Sequence, residues 1–359
     1  MALANHLAGV RVCPGAEVVA LCDADPDVLE RAGRESGVER LYPRAEDLWA
    51  DEGVDAVIIA TPNHVHREVA VAAARSGRHV LCEKPLALNL ADALEMLEVA
   101  EASGVRHMTA FTYRFVPAMR YMKRLIDDGF IGRPQHFRAQ RFQDWGRRHL
   151  GWRQVMATAG SGELGDMLSH RLDYAHYLVG PIARLVSQTK RLFETRMDAA
   201  GVEHASDVED WVACLAEFEG GTATGVFEST KAAVGRGDGS FSRDWCEVNG
   251  TEGSLVYRLE RPHQLDVARA ADGPGLETVE VPAEFLKPFG SPRDVSKDDP
   301  LQGFRYDQDY EFLQAIGEGR PCTPSFHDGV RAQAVMDAIL RSAREGCWVD
   351  VPRTPAPPR

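Results

Sequence analysis

Short apolar runs alternate with amphipathic stretches through the first third of the chain. Residues 16–22 (AEVVALC), 55–60 (DAVIIA), 79–82 (HVLC) and 106–110 have the length and composition of buried strands. Between them, apolar positions recur at helical spacing in residues 26–36, 45–50, 65–76 and 90–103. Pro26 opens the first of these helices and Gly37 closes it, while Gly77 and Gly104 stop the later two. Apolar strands separated by helices predict a parallel sheet covered on both faces.

The pattern changes near Tyr113. After one more helix, residues 116–128, the strands lengthen and alternate. Residues 210–219 and 222–230 flank Gly220-Gly221 and read as an antiparallel hairpin, and residues 246–249 and 254–257 repeat the theme around a GTEG turn. One long helix, 160–178, interrupts the strands, and two more, 305–317 and 326–345, close the chain. Residues 197–206, 231–242 and 288–300 read as loops that could line or cover a site. The expected fold class is therefore α/β followed by α+β. A Rossmann-type domain spans 1–113, an open, mostly antiparallel sheet domain spans 114–350, and a Pro-rich tail, 351–359, is expected to be disordered.

Composition narrows the partners. The 359 residues carry a net charge of −13, which repels phosphate backbones and anionic lipid, so nucleic acid and membrane surfaces are poor partners. The seven cysteines are scattered and form no C-x-x-C pair, which argues against a disulfide framework or structural zinc and for free thiols in the cytoplasm. No apolar stretch is long enough to span a bilayer.

Three constellations carry candidate chemistry. Thr61-Pro62-Asn63-His64-Val65-His66 follows the second of the buried runs that alternate with clear helices, at the carboxyl end of a strand, where open parallel sheets bind ligands. Asn63 there reads equally well as a helix cap. Glu83-Lys84-Pro85 leaves the apolar run HVLC, and Lys84 is either one half of an exposed salt bridge or a partly desolvated proton donor. In the helix around 160–178, Asp166, His170 and Asp173 share one face, where a carboxylate could orient the imidazole and set its tautomer. A satisfied core histidine is the plainer reading of His170. A metal site is a third reading, for which no further ligand set is evident. Gly160-Ser161-Gly162 before it suggests close backbone approach to a ligand.

The combination ATPNHVH (60–66), LCEKPLAL (81–88), TYRF (112–115), GWR (151–153) and GSGELGDMLSHRLDYAHYLVG (160–180) resembles the Gfo/Idh/MocA oxidoreductases. The later GTEGSL (250–255) and the segment 319–346 extend the resemblance over nearly the whole chain. The resemblance implies that cofactor and substrate lie between the two domains. It makes Lys84, Asp166 and His170 catalytic. His170 takes the hydroxyl proton, Lys84 stabilises the reacting oxygen, and Asp166 holds Lys84 or the substrate. Thr61, Pro62, Asn63, His66, Glu83, Lys84 and Arg114 would surround the cofactor, with Trp152 and Arg153 at its nicotinamide end. Lys84, Tyr113, Asp166 and His170 would bind substrate. Asp23, after the first visible strand, would meet the adenine ribose and favour NAD over NADP.

The implied reaction is hydride transfer at a ring hydroxyl of a sugar, glycoside or cyclitol, in a homodimer or homotetramer. Glycoside cleavage through transient oxidation and a non-catalytic NAD-binding sensor are the competing readings. The family opens with a strand and a G-x-G-x-x-G turn. This chain has neither, and residues 1–8 match the helix after that turn, so the expectation is a native start upstream, where any targeting signal would also lie.

Overall fold

The computed structural model describes residues 2–221, 223–237 and 243–356. Residues 238–242 of the expected 231–242 loop and 357–359 of the expected tail lie outside the described residues. Among the described residues, no helix is long and apolar enough to cross a membrane.

The chain opens with a π-helical turn, Ala2–Leu7, that runs into α1 (Ala8–Arg11). There follow β1 (Ala20–Cys22), α2 (Pro26–Ser36), β2 (Arg40–Tyr42), α3 (Ala45–Trp49), β3 (Ala56–Ile59), α4 (Asn63–Arg75), β4 (His79–Cys82), α5 (Leu90–Ala102) and β5 (His107–Thr109). Local chemistry sets the helix ends. The Asp25 carboxylate accepts from the N–H groups of Asp27 and Val28 at the start of α2, and Gly37 closes that helix at φ 71°. All pairings in this domain are parallel, but they fall into two sheets, β1–β2 and β3–β4–β5. The strip β2, residues 40–42, is too short and polar to have stood out in the sequence.

The second domain comprises α6 (Pro117–Asp127), β6 (Pro134–Phe142), α7 (Met156–Ala159), a π-helical stretch Leu164–Leu168, α8 (Ser169–Leu178) and β7 (Ile182–Lys190). It continues through β8 (Thr195–Met197), β9 (Glu203–Ala205), β10 (Trp211–Phe218), β11 (Thr224–Thr230), β12 (Arg243–Gly250), β13 (Gly253–Arg258), β14 (Gln264–Arg269) and β15 (Glu277–Glu280). Helices α9 (Gly303–Gly317) and α10 (Phe326–Glu345) and strand β16 (Val349–Asp350) complete it. Nine strands form one sheet in the order β15-β14-β13-β12-β6-β11-β10-β7-β16, antiparallel except where β6 meets β11. One face carries the main core, including Phe137, Val212, Phe227, Val248 and Leu255 under Leu168, Leu172 and Tyr174.

Three expectations need correcting. Residues 160–178 are not one helix: α7 ends at Gly160 (φ 77°), and the π-helical stretch precedes α8. A Cβ on Gly162 would lie 2.0 Å from the carbonyl oxygen of Glu209, while Gly162 and Ser161 themselves border the cleft described below. The backbone of Gly162 is pressed against the chain entering β10. Residues 197–206 contain the β8–β9 hairpin rather than an open loop. The tail is fixed at its start, where the Val351 N–H donates to Ala183 O at 2.8 Å and Pro355 O lies 3.4 Å from His327 Nδ1.

The two closing helices return to the first domain. Phe326 and Val330 of α10 are buried among Val57, Val80 and Leu97, and Thr109 Oγ1 donates to Ser325 O at 3.0 Å. This fixes the carboxyl ends of β3 and β4 against the start of α8, and the site lies there. Replacing Gly162 by alanine is expected to destabilise the protein by about 1–3 kcal/mol, since rigid backbone faces the new methyl. Urea unfolding of Gly162→Ala against the parent checks this, and an unchanged midpoint refutes it.

Candidate active site

Two strand-end turns and one helix start form the cleft. After β3, Thr61 and Pro62 lead into α4. Asn63 is the first helical residue rather than the cap, and its Nδ2 donates to Ala159 O at 2.9 Å, joining α4 to α7. His66 is fully buried, with Nε2 3.0 Å from Thr61 O and Nδ1 3.0 Å from Pro85 O. It clamps the two turns from behind and does not face the cleft. Burial lowers its pKa, so the ring is neutral and donates to one carbonyl at a time.

After β4, Glu83 accepts from the Lys84 N–H at 3.2 Å and pairs with His6 Nε2 at 3.0 Å. His6 Nδ1 in turn lies 2.7 Å from Asp309 Oδ1 on α9. Burial opposes a charge on His6, but Asp309 and Glu83 overcome it and raise its pKa to about 10. Burial likewise disfavours a Glu83 carboxylate, yet His6 and Lys84 hold its pKa below the usual value. Asp309–His6–Glu83 is thus a buried charged chain ending at the backbone of Lys84. No sequence motif pointed to His6 or Asp309.

Lys84 reaches across to the second domain. Its ammonium donates to the backbone carbonyl of Asp166 and lies 3.3 Å from Asp166 Oδ1. Arg153 Nε is 3.8 Å from the same oxygen, and the Arg153 guanidinium stacks 4.2 Å from the Trp152 ring centroid. Burial raises the pKa of Asp166, but Lys84, Arg153 and Lys231 together bring it below the ordinary carboxylate value. Lys84, Asp166, Trp152, Arg153, Thr61 and Asn63 line a cleft between these elements.

His170 lies one turn further along, 4% exposed, edge-on to Tyr113 at 4.6 Å between ring centroids. Its Nδ1 is buried with no hydrogen-bond partner among the described residues. Burial, then Lys84, Arg171, Arg305 and Arg141, push its pKa well below the ordinary value, so the imidazole is neutral. Asp173 does not orient it. The Asp173 carboxylate takes Arg114 in a two-point pair at 2.5 and 2.8 Å, and Arg114 also reaches Asp328 at 2.9 Å. Helical spacing put Asp173 on the face of His170, but a buried guanidinium claims it. Arg114 is correspondingly withdrawn from the cleft. Asp23 is exposed at the end of β1, where its carboxylate accepts from the Asp25 N–H at 2.9 Å.

A family model described as oxidoreductase family, NAD-binding Rossmann fold, matches residues 1–111, and the GFO/IDH/MocA C-terminal domain model matches residues 119–256. The first match begins at residue 1, so it does not support the expected loss of an opening segment. Levoglucosan dehydrogenase of Pseudarthrobacter phenanthrenivorans is 36% identical, over 94% of this chain and 90% of its own. Inositol 2-dehydrogenase 1 of Saccharopolyspora erythraea is 31% identical, over 94% and 89%. A solved structure of levoglucosan dehydrogenase in complex with NADH and levoglucosan is similar with a TM-score of 0.89 at 34% identity, covering 98% of this chain and 97% of that one.

The His6 chain predicts a pH dependence of stability. A histidine whose folded pKa is raised from about 6.5 to about 10 contributes stability that is full below the unfolded pKa and is lost as pH rises through the folded one. His6→Asn is therefore expected to cost about 3–5 kcal/mol at slightly acidic pH, as for a broken buried ion pair, and progressively less towards pH about 10. Urea unfolding of both proteins across this range checks it. A difference independent of pH would show that His6 is held neutral.

Proposed function

The chain belongs to the GFO/IDH/MocA oxidoreductase family, and on that premise we propose that it transfers a hydride between NAD and a ring hydroxyl of a sugar, glycoside or cyclitol. The observation that carries this reading is the Lys84–Asp166 contact beside a neutral His170. Relatives named for levoglucosan and for inositol support the substrate class.

The residues present fit a dinucleotide. Thr61 Oγ1 is buried with no protein partner, and the first turn of α4 presents N–H groups beside it. Thr61, Pro62, Asn63, Glu83, Trp152 and Arg153 would hold the nicotinamide half, and Asp23 the adenine ribose. The Asp23 carboxylate would repel a 2′-phosphate, which favours NAD over NADP. His66 and Arg114 serve that site only through the backbone they fix. When bound, NAD supplies the hydride acceptor. The protein's own groups manage the proton and the oxygen. His170 Nε2 takes the hydroxyl proton as general base, and the Lys84 ammonium hydrogen-bonds the oxygen on which negative charge develops. Asp166 keeps Lys84 aimed, and Tyr113 walls the substrate side of the imidazole. In the reverse direction His170 returns the proton. The cytoplasm and a homodimer or homotetramer are the proposed setting.

Turnover of a sugar and cyclitol panel with NAD tests the reading, together with two variants. Lys84→Ala and His170→Asn are each expected to lower kcat by about 100- to 10,000-fold, while the affinity for NADH, followed by fluorescence titration, changes little. Equal losses of turnover and NADH affinity in Lys84→Ala would confine that residue to the cofactor site. An unaltered pH–rate profile in His170→Asn would exclude it as the base.

A further inference from the structure

Lys231 follows the last residue of β11 and is 1% exposed, yet its ammonium has no hydrogen bond to any described residue. Its one ion pair among the described residues is with Asp210 Oδ1 at 3.8 Å, beyond hydrogen-bond distance. The neighbouring acids are all committed elsewhere. Asp210 takes Arg196 at 2.5 Å and the N–H groups of Leu192 and Phe193 at 2.8 and 2.9 Å. Glu209 Oε1 accepts from the N–H groups of Gly162 and Leu164 at 2.7 and 2.9 Å. Glu163 accepts from Ser229 Oγ at 2.5 Å, and burial pushes its pKa up to about 8, so at neutral pH it offers little negative charge. Asp166 belongs to Lys84.

A buried ammonium carries three donors, and leaving them unmet is costly. No described residue accepts from it at hydrogen-bond distance, which leaves its donors to water or to a ligand. Lys231 stands two residues after Ser229, which holds Glu163, and Glu163 lies between Gly162 and Asp166 of the cleft lining; with Lys84 and Arg153, Lys231 lowers the Asp166 pKa. Its position is built: the N–H groups of Trp145 and Gly146 donate to its carbonyl at 3.1 and 2.8 Å, and its Nζ lies 5.0 Å from the Trp145 ring centroid. A point-charge donor beside an aromatic face matches a polyhydroxylated ring, which offers oxygens at its rim and C–H groups on its faces.

We propose that Lys231 is a substrate-contacting, specificity-determining residue that donates to a sugar oxygen remote from the carbon under oxidation, with Trp145 as the adjoining platform. The inference rests on the sugar-dehydrogenase reading of the cleft. It assigns the far end of the substrate to the end of β11, and so explains a lysine that takes no part in the chemistry at Lys84 and His170.

The test is binding of L-sorbose and levoglucosan to the NADH-loaded protein, followed by fluorescence, in the parent, Lys231→Met and Lys231→Gln. Methionine keeps most of the stem against Trp145, and glutamine restores a neutral donor. Lys231→Met is expected to weaken sugar binding, and to raise KM for a sugar that is turned over, by about 10- to 100-fold, the range for a charge-assisted hydrogen bond. NADH affinity should stay near that of the parent, with the sugar affinity of Lys231→Gln intermediate. Unchanged sugar affinity in Lys231→Met overturns the proposal. So does a parallel loss of NADH and sugar affinity, which would mark a structural role, or failure of both sugars to bind the parent. Sugar binding without turnover would sink the dehydrogenase reading and leave the role of Lys231 standing.

Discussion

Lys84 and Asp166 come from different domains, and the ammonium–carboxylate contact between them is the constraint on which the site depends. An exposed pair of this kind contributes little. Here the side chains are 10% and 20% exposed, and each is positioned from behind. Lys84 stands on Glu83, which the His6–Asp309 chain anchors to α9. Asp166 stands on a helical turn whose start, at Gly162, is fixed to the backbone and carboxylate of Glu209. The pair joins the two supports, so displacing either one moves the reacting groups without touching them.

The same logic explains the number of buried arginines around the site. Arg114 closes on Asp173 and Asp328, Arg196 on Asp210, and Arg141 and Arg171 share Asp244. Buried pairs of this sort bring little net stability against an apolar replacement, because desolvation offsets the attraction. They do fix geometry: each guanidinium bridges elements far apart in sequence, as Arg114 does between the turn after β5, α8 and the start of α10. They also set the protonation of His170, which Arg141, Arg171 and Arg305 help to keep neutral.

These pairs mark the limit of what the sequence could disclose. Elements whose inward face is mostly apolar were legible, and the helices Pro26–Ser36 and Phe326–Glu345 and the strand His79–Cys82 have the bounds their patterns gave. Strand β6, central to the large sheet, was not. Its inward positions are Phe137, Ala139 and Arg141, and the charge hides the alternation. Only the register shows why arginine is tolerated: Arg141 lies directly opposite Asp244 of β12, which neutralises it. The site was legible to the same extent. Lys84, Asp166 and His170 stood in local motifs and converge. The assignment of Asp173 to Arg114 rather than to His170, and the parts played by His6, Asp309 and Lys231, depend on partners 59 to 303 residues apart or on an absence of partners, which spacing along one helix cannot encode.

Net charge misleads at this scale too. The chain carries −13, yet Lys84, Arg153 and Lys231 converge on the single carboxylate of Asp166. Inside a cleft of low polarity the local field outweighs the distant surface charge, which solvent and salt screen. A site with an excess of buried cation over ionised acid favours whatever negative charge enters or develops in it. A dinucleotide brings such charge, and on the proposed mechanism a hydroxyl losing its proton to His170 would create it beside Lys84. The acidic exterior and the cationic interior thus answer different requirements. Net negative charge disfavours polyanions by repulsion, and on the proposed mechanism the cationic interior lowers the cost of forming an alkoxide at one oxygen.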